Sequence, residues 1–104
     1  MSTNLIIKKI KETVKATDAN AKVILYGSHA RGDARKDSDW DLLILINKPH
    51  ATFKDEQRFR HNLFDVELAT GEAISTFVYS VNDWNTTMSM TPLYKNIERE
   101  GKYL

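Results

Sequence analysis

At 104 residues, of which 41% are hydrophobic, the chain can bury one modest core, and we expect residues 1–104 to form a single domain. Its 15 basic and 14 acidic side chains give a net charge of +1, which predicts no affinity for long nucleic acids. The absence of cysteine excludes disulfides and thiolate metal sites, and the three histidines lack the spacing of zinc ligands.

The first predicted element is an amphipathic helix over about residues 3–16. Ile6, Ile10 and Val14 recur every four residues, charged side chains fill the other faces, and Ser2 or Thr3 can cap the helix. Charges among the apolar residues are typical neither of a secretory signal nor of a membrane span. We therefore expect a cytoplasmic protein with no membrane partner.

The next element is a short buried strand, residues 23–26, which breaks sharply at Gly27 and Ser28. We expect Ser28 at the N-cap position of a short helix, where serine is favoured. Backbone N–H groups at a helix start bind phosphate oxygens, and glycine allows a close approach. The bend after the strand is therefore a candidate phosphate-binding site.

A second apolar run, residues 42–46, predicts a neighbouring strand whose beginning carries Asp39 and Asp41. Residues i and i+2 of a strand point to the same face, so we expect the two carboxylates side by side. Carboxylates are costly beside a core unless something pairs with them, and two of them repel each other. A hard divalent cation such as Mg²⁺ suits oxygen ligands and removes the repulsion. These residues therefore predict a magnesium site.

The segment after the second strand has two interpretations. Thr52 and Asp55 predict the capped start of a helix. Residues 64–68 then alternate with period two, and residues 73–80 are rich in β-branched and aromatic side chains, which together predict a β-hairpin. A single helix over residues 51–69 is the competing interpretation.

The last predicted element is a helix near the carboxyl terminus. Thr91 is a candidate N-cap, Pro92 suits the first helical position, and Gly101 is expected to end the helix. Leu93 and Ile97 would dock it against the rest of the domain.

The polar segment between the two predicted strands carries two motifs in a fixed order. They are Gly27-Ser28-x-Ala30-Arg31-Gly32 and, after six further residues that end in Ser38, Asp39-x-Asp41-Leu42. With its flanking strands this pattern covers about a quarter of the chain, and it resembles the minimal nucleotidyltransferase domains of the polymerase-β-like superfamily. The resemblance implies an α+β fold with a small mixed β-sheet and helices packed mainly on one face.

The resemblance also implies a function and a set of site residues. The function is transfer of a nucleoside monophosphate to a hydroxyl acceptor with release of pyrophosphate, and the first candidate for the transferred group is AMP from ATP. Asp39 and Asp41 would hold one or two Mg²⁺ ions, which activate the attacking oxygen and neutralise charge on the phosphates. The nucleotide-binding residues would be Gly27, Ser28, Arg31 and Ser38.

The superfamily usually supplies a third carboxylate from a later strand, where it completes the metal cluster and can help deprotonate the attacking hydroxyl. In the predicted hairpin, Glu67 lies on the strand face away from Val66 and Leu68, and it is our first hypothesis for that catalytic and metal-binding acid. Asp65 and Glu72 are the alternatives. If none of them reaches the metals, nucleotide binding without catalysis would remain.

Partners follow from the resemblance as well. Small stand-alone members often act with a helical partner of the HEPN type as toxin and antitoxin, and the acceptor would then lie on another chain. A catalytically weak or inactive nucleotide- or partner-binding module on the same fold is the alternative. An ordinary α+β domain with solubilising acids at a strand edge would leave the glycine–serine element unexplained. The acceptor, the preferred nucleobase and homo-oligomerisation stay open. Residues 100–104 resemble the tail of bacterial members of the family, and we assign them no chemical role.

Overall fold

A computed structural model describes residues 2–104 as a four-stranded mixed sheet with helices on both of its faces. The strand order is β3-β2-β1-β4; β1 is antiparallel to β2 and β4, and β2 is parallel to β3. Every helix within residues 2–104 is too short or too polar to cross a membrane. In chain order the elements are α1 (Thr3–Thr17), β1 (Lys22–Tyr26), α2 (Ser28–Arg31), β2 (Trp40–Ile46), α3 (Phe53–Thr70), β3 (Ile74–Ser80), α4 (Val81–Asn85), a short 3-10 helix (Thr87–Met90), α5 (Pro92–Glu100) and β4 (Lys102–Tyr103).

The two long helices, α1 and α3, contact each other and pack on one face of the sheet. Alternate residues of β2, from Trp40 to Ile46, complete this core and are almost inaccessible to solvent. Burying an aliphatic side chain of this size contributes about 1.5–3 kcal/mol, so this face supplies much of the folding free energy. The buried helical residues are Ile6, Ile10 and Val14 in α1, with Phe59, Leu63 and Val66 in α3.

Two shorter helices, α4 and α5, cover the opposite face with a smaller core. Ile24 and Leu43 of the sheet pack there with Trp84 and Ile97. Because successive strand residues point to opposite faces, Asp41 lies on this second face, two residues before Leu43. The predicted α+β fold with a small mixed sheet is confirmed, and the second face carries the predicted metal acid.

Residues 53–70 form one helix, so the predicted β-hairpin is wrong and the competing interpretation of a single helix is correct. A capping box at Thr52 and a C-cap at Gly71, with φ +74°, define its ends. The alternating pattern in residues 64–68 was misleading because Phe64 and Leu68 are solvent-exposed apolar residues of α3. Burial in α3 follows the helical period instead.

The predicted caps of the first and last helices are confirmed. Ser2 Oγ accepts a hydrogen bond from the Leu5 N–H at 3.2 Å, and Thr91 Oγ1 accepts one from the Tyr94 N–H at 3.2 Å. Each cap satisfies one of the backbone donors that a helix start leaves without an intrahelical partner. Helix α5 begins at Pro92 and ends just before Gly101, as predicted.

Candidate active site

The glycine–serine bend joins β1 to α2 in a conformation that requires glycine. Gly27 has φ +76° and ψ −158°, which residues with a β carbon rarely adopt. A β carbon built on Gly27 would lie 3.2 Å from Cγ of Asp41 and closer still to Oδ2. Gly27 is itself the N-cap of α2, so the predicted capping role of Ser28 is wrong, and Ser28 is the first helical residue. The bend and the Asp41 carboxylate are therefore immediate neighbours.

Both aspartates lie at the start of β2, Asp41 within the strand and Asp39 directly before it. Asp41 is half-buried and is paired in register with Tyr26 of β1, while Asp39 is exposed just before the strand. Burial raises the pKa of Asp41, and the nearby charge of Asp39 raises that pKa further. Burial, followed by the charge of Asp41, raises the pKa of Tyr26 to about 12. The site thus concentrates negative charge that a bound cation would relieve.

This donor set suits magnesium. Asp39 and Asp41 offer carboxylate oxygens only, and Mg²⁺ is usually held by one or two carboxylates with water and substrate phosphates in its other positions. Because the glycine–serine bend adjoins Asp41, phosphate oxygens bound at the bend would be close to such an ion. Within residues 2–104, no arrangement of three or more acidic, histidine or cysteine side chains could hold a metal ion. A metal ion held by Asp39 and Asp41 alone would therefore need further ligands, such as water or phosphate oxygens.

Arg31 is the last residue of α2, and its side chain binds two carboxylates. Its Nε donates to Oδ2 of Asp33 at 3.2 Å, and its Nη1 donates to Oε2 of Glu100 at 2.9 Å. The positive charge of Arg31 lowers the pKa of Asp41, against the larger upward effects of burial and Asp39. The predicted nucleotide-binding arginine is thus close enough to the aspartates for its charge to affect Asp41.

Residues 7–101 match the family model of the nucleotidyltransferase domain. This chain belongs to the nucleotidyltransferase domain family. The match includes the bend, Arg31 and both aspartates, so the residues brought together in the structure lie within the family region.

Two named relatives share part of the chain. It is 44% identical over 55 residues to the putative protein adenylyltransferase of Methanocaldococcus jannaschii, which is 51% of this chain and 54% of that protein. It is 32% identical over 73 residues to the bifunctional uridylyltransferase/uridylyl-removing enzyme of Pseudomonas fluorescens, which is 68% of this chain and 8% of that enzyme. The chain therefore matches about half of the first relative and a small part of the second.

Two solved structures share the fold. A toxin–antitoxin crystallised with AMP-PNP superposes with a TM-score of 0.68 at 15% identity, covering 92% of this chain and 69% of that chain. A putative minimal nucleotidyltransferase superposes with a TM-score of 0.67 at 23% identity, covering 100% of this chain and 97% of that chain. At these identities the two structures establish the nucleotidyltransferase fold alone.

The strand predicted to carry the third acid of this nucleotidyltransferase domain does not form, because residues 64–68 belong to helix α3. Glu67 belongs to α3, on the other face of the sheet from Asp41, and lines a depression at the edge of β3 with Arg60 and Ser75. In the parallel pairing of β2 with β3, the residue directly opposite Asp41 is Ser75, followed on the same face by Phe77. The strand placement assumed for Glu67 is therefore wrong, and β3 offers a serine where an acid would meet Asp41.

The two alternatives for the third acid also lie outside β3. Asp65 is an exposed residue of α3 and lines a groove with Glu12 of α1. Glu72 lies in the turn between Gly71 and β3 and is half-exposed. Neither belongs to a group of three or more side chains suited to a metal within residues 2–104.

The loop that carries Asp39 is fixed by contacts that sequence reasoning only partly anticipated. Ser38 Oγ accepts a hydrogen bond from the Arg35 N–H at 2.8 Å, and the Ser38 carbonyl oxygen lies 3.1 Å from Nε2 of His29. The His29 ring stacks on Trp40 with 3.7 Å between ring centroids and 10° between planes. Ser38 therefore closes the loop, and the stacked pair holds α2 against the start of β2.

Tyr26, His29 and Glu100 are the residues of this site that the sequence did not reveal. Tyr26 had a usable signal, because it is the last strand residue before the bend and shares a sheet face with Asp41. His29 had a weaker one, its place inside the first motif. Glu100 had none, because it is 69 residues from its partner Arg31.

Proposed function

We propose that this chain transfers a nucleoside monophosphate, AMP from ATP, to a hydroxyl acceptor with release of pyrophosphate in a magnesium-dependent reaction. The observation that supports the proposal is the proximity of the glycine–serine bend to Asp41, because a phosphate bound at the bend and a metal ion held by Asp41 would then be neighbours. The choice of AMP is supported by the relative named as a protein adenylyltransferase, 44% identical over 55 residues.

The residues divide the work between binding phosphate and holding charge. Gly27 and Ser28 would bind the β- and γ-phosphates through backbone N–H groups and the serine hydroxyl, and Arg31 would add a positive charge beside them. Asp39 and Asp41 would hold Mg²⁺, which supplies positive charge to the phosphate oxygens. The acceptor hydroxyl oxygen forms a bond to the α-phosphorus and gives up its proton to solvent, while the bond from that phosphorus to the pyrophosphate oxygen breaks and pyrophosphate leaves. In phosphoryl transfer, positioning and electrostatic stabilisation supply most of the catalysis.

Calorimetry with ATP and Mg²⁺ tests the metal site directly. Asp39→Asn combined with Asp41→Asn should abolish the Mg²⁺-dependent part of ATP binding, because amides replace both anionic ligands. Asp37→Asn is the matched control, since Asp37 is an exposed acid of the same loop outside the proposed site. Unchanged binding by the double variant would refute the proposal.

The proposed acceptor is a hydroxyl group on a partner protein, a helical protein of the HEPN type in a toxin–antitoxin pair. The structural neighbour crystallised as a toxin–antitoxin with AMP-PNP supports this choice, at the level of a shared fold. Incubation of the chain with α-labelled ATP and such a partner should label the partner. No label on the partner, with intact ATP binding, would contradict protein modification.

A second candidate is a module that binds nucleotide or partner without catalysis. The serine opposite Asp41 favours it, because β3 then lacks the acid that would complete the metal cluster. Binding of MgATP with no turnover on any acceptor is the result expected for this candidate. Transfer of label by the wild-type chain, lost in Asp41→Asn, would exclude it.

A further inference from the structure

An ion pair connects the carboxyl-terminal helix to the nucleotide-binding segment. Oε2 of Glu100, the last residue of α5, accepts a hydrogen bond from Nη1 of Arg31 at 2.9 Å. The Glu100 side chain is 14% exposed, whereas that of Asp33, the other partner of Arg31, is 62% exposed. The pair with Glu100 is therefore expected to be the stronger of the two, because exposed pairs keep more side-chain freedom and are weaker.

The backbone around Glu100 is fixed by tight packing against β1. A β carbon on Gly101 would lie 2.8 Å from Cγ2 of Ile24 and 3.1 Å from Cγ2 of Ile97, so only glycine fits without a shift. Directly afterwards β4 pairs with β1, where Tyr103 is the partner of Ile24. Since β1 leads into the glycine–serine bend, the end of α5 is held in register with the start of the site.

Glu100 contributes negative charge to the site itself. A carboxylate in this position would repel a triphosphate unless a cation neutralised it. The negative charge of Glu100 at this well-packed position is explained if the Glu100 carboxylate serves to hold the Arg31 side chain.

Arg31 keeps donors available after these contacts. Guanidinium has five N–H donors in a planar fork, which suits phosphate oxygens. Nε and Nη1 each donate one hydrogen bond, and Nη2 has no hydrogen-bond partner within residues 2–104. Fixing two of the three guanidinium nitrogens limits the directions in which the N–H groups of Nη2 can point.

We propose that Glu100 is a positioning residue of the nucleotide site, which holds the Arg31 guanidinium so that its remaining N–H groups bind a phosphate of the nucleotide. The carboxyl-terminal helix thereby becomes part of the binding site, although Glu100 lies 69 residues from Arg31 in sequence. This inference rests on the proposed binding of ATP and adds to it a residue outside the two motifs.

Calorimetry with MgATP and thermal unfolding, measured on the same variants, separate positioning from a structural role. Glu100→Gln should weaken MgATP binding by about tenfold, because it keeps the side-chain shape but loses the charge-assisted hydrogen bond. Glu98→Gln is the matched control, since Glu98 is an exposed acid of the same helix, and its affinity should equal that of the wild type. Wild-type affinity in Glu100→Gln would overturn the inference and leave ATP binding itself established.

A charge swap provides the second arm. Arg31→Glu combined with Glu100→Arg reverses the ion pair, so it should recover the melting temperature that either single reversal loses. MgATP affinity should stay low, because a glutamate now replaces the arginine next to the phosphates. If the swap restores both melting temperature and affinity, the pair is only structural and the inference is wrong. If the wild-type chain fails to bind MgATP, the proposed function falls first and the inference with it.

Discussion

The two faces of the sheet differ in how completely helices cover them. On the face that packs against α1 and α3, Trp40 and Leu42 are at most 1% exposed. On the other face, Asp41 is half-buried and Phe77 is 40% exposed, although Asp41 lies between Trp40 and Leu42 in sequence. One strand thus alternates between a face that is closed by long helices and a face that α4 and α5 cover only in part. The closed face carries folding free energy, and the incompletely covered face holds charged groups beside an approachable surface. Variants on the two faces should therefore separate stability from function.

The largest expected effect on stability belongs to the closed face. Leu42→Ala should lower the free energy of unfolding by about 2–5 kcal/mol, because it leaves a cavity at a fully buried position. MgATP affinity of the folded protein should not change, since Leu42 points away from Asp41. Urea unfolding and calorimetry at a temperature where the variant is folded check both parts. A loss of affinity in the folded variant would show that the faces are coupled more tightly than their alternation suggests.

The second prediction concerns the bend on the functional face. Gly27→Ala should cost about 1–3 kcal/mol of stability through backbone strain at φ +76°, and it should lower the transfer rate by about 100-fold because the new methyl displaces Asp41. Gly71→Ala is the control, since Gly71 has φ +74° but nothing within 4 Å of the added carbon. It should show the strain without the functional loss. Equal activity of the two variants would mean that the contact of Gly27 with Asp41 has no functional role.

Two aspartates with opposite pKa shifts sharpen the contrast between structure and function. Asp55, at the start of α3, receives hydrogen bonds from Lys48 Nζ at 2.9 Å and from the Thr52 N–H at 2.9 Å. The Lys48 hydrogen bond, followed by that of the Thr52 backbone, lowers the pKa of Asp55 to about 2. The pKa of Asp41 is raised, chiefly by burial. The hydrogen-bonded carboxylate of Asp55 therefore stabilises the fold, whereas the charge on Asp41 does not.

The third prediction follows from the lowered pKa of Asp55. Its contribution to stability should be complete above about pH 4, the unfolded value, and should be lost as pH falls through about 2. Asp55→Asn should therefore cost about 1 kcal/mol at pH 7 and flatten the acid limb of the stability curve. Asp41→Asn should not lower stability at pH 7, because burial already disfavours that charge. Urea unfolding from pH 2 to 7 measures all three curves, and an unchanged acid limb in Asp55→Asn would contradict the assignment.

What the sequence could and could not predict follows from the range over which each signal acts. The bend and Asp41 lie within one local segment, so motif and strand periodicity were sufficient to predict that they are neighbours. The prediction of a strand over residues 64–68 was wrong because the apolar–polar alternation there arises partly from two exposed apolar residues of a helix. Such a pattern is compatible with the two-residue period of a strand and with the 3.6-residue period of a helix. The role of Glu100 depends on tertiary packing, which no local pattern encodes.

The missing third acid is the case in which sequence reasoning had the least to work with. Which β3 residue faces Asp41 depends on the register of two parallel strands that are joined through the 18-residue helix α3. Without that register Glu67 was a reasonable hypothesis, since the resemblance implied an acid from a later strand. With it, the position is Ser75, and the question becomes whether serine limits the metal site.

The last and smallest expected effect on stability comes from Ser75→Asp, which would place a third carboxylate opposite Asp41. Without metal it should cost about 0.2–1 kcal/mol, because like charges on neighbouring strands repel. With ATP present it should tighten Mg²⁺ binding by about tenfold, since a metal site gains from an added anionic ligand at the right distance. Ser75→Asn is the control, with the same shape and no charge. If the aspartate variant binds Mg²⁺ and transfers label no better than the asparagine variant, β3 does not contribute to the metal site, and the two aspartates of the β2 segment, Asp39 and Asp41, with the nucleotide itself supply all of its anionic ligands.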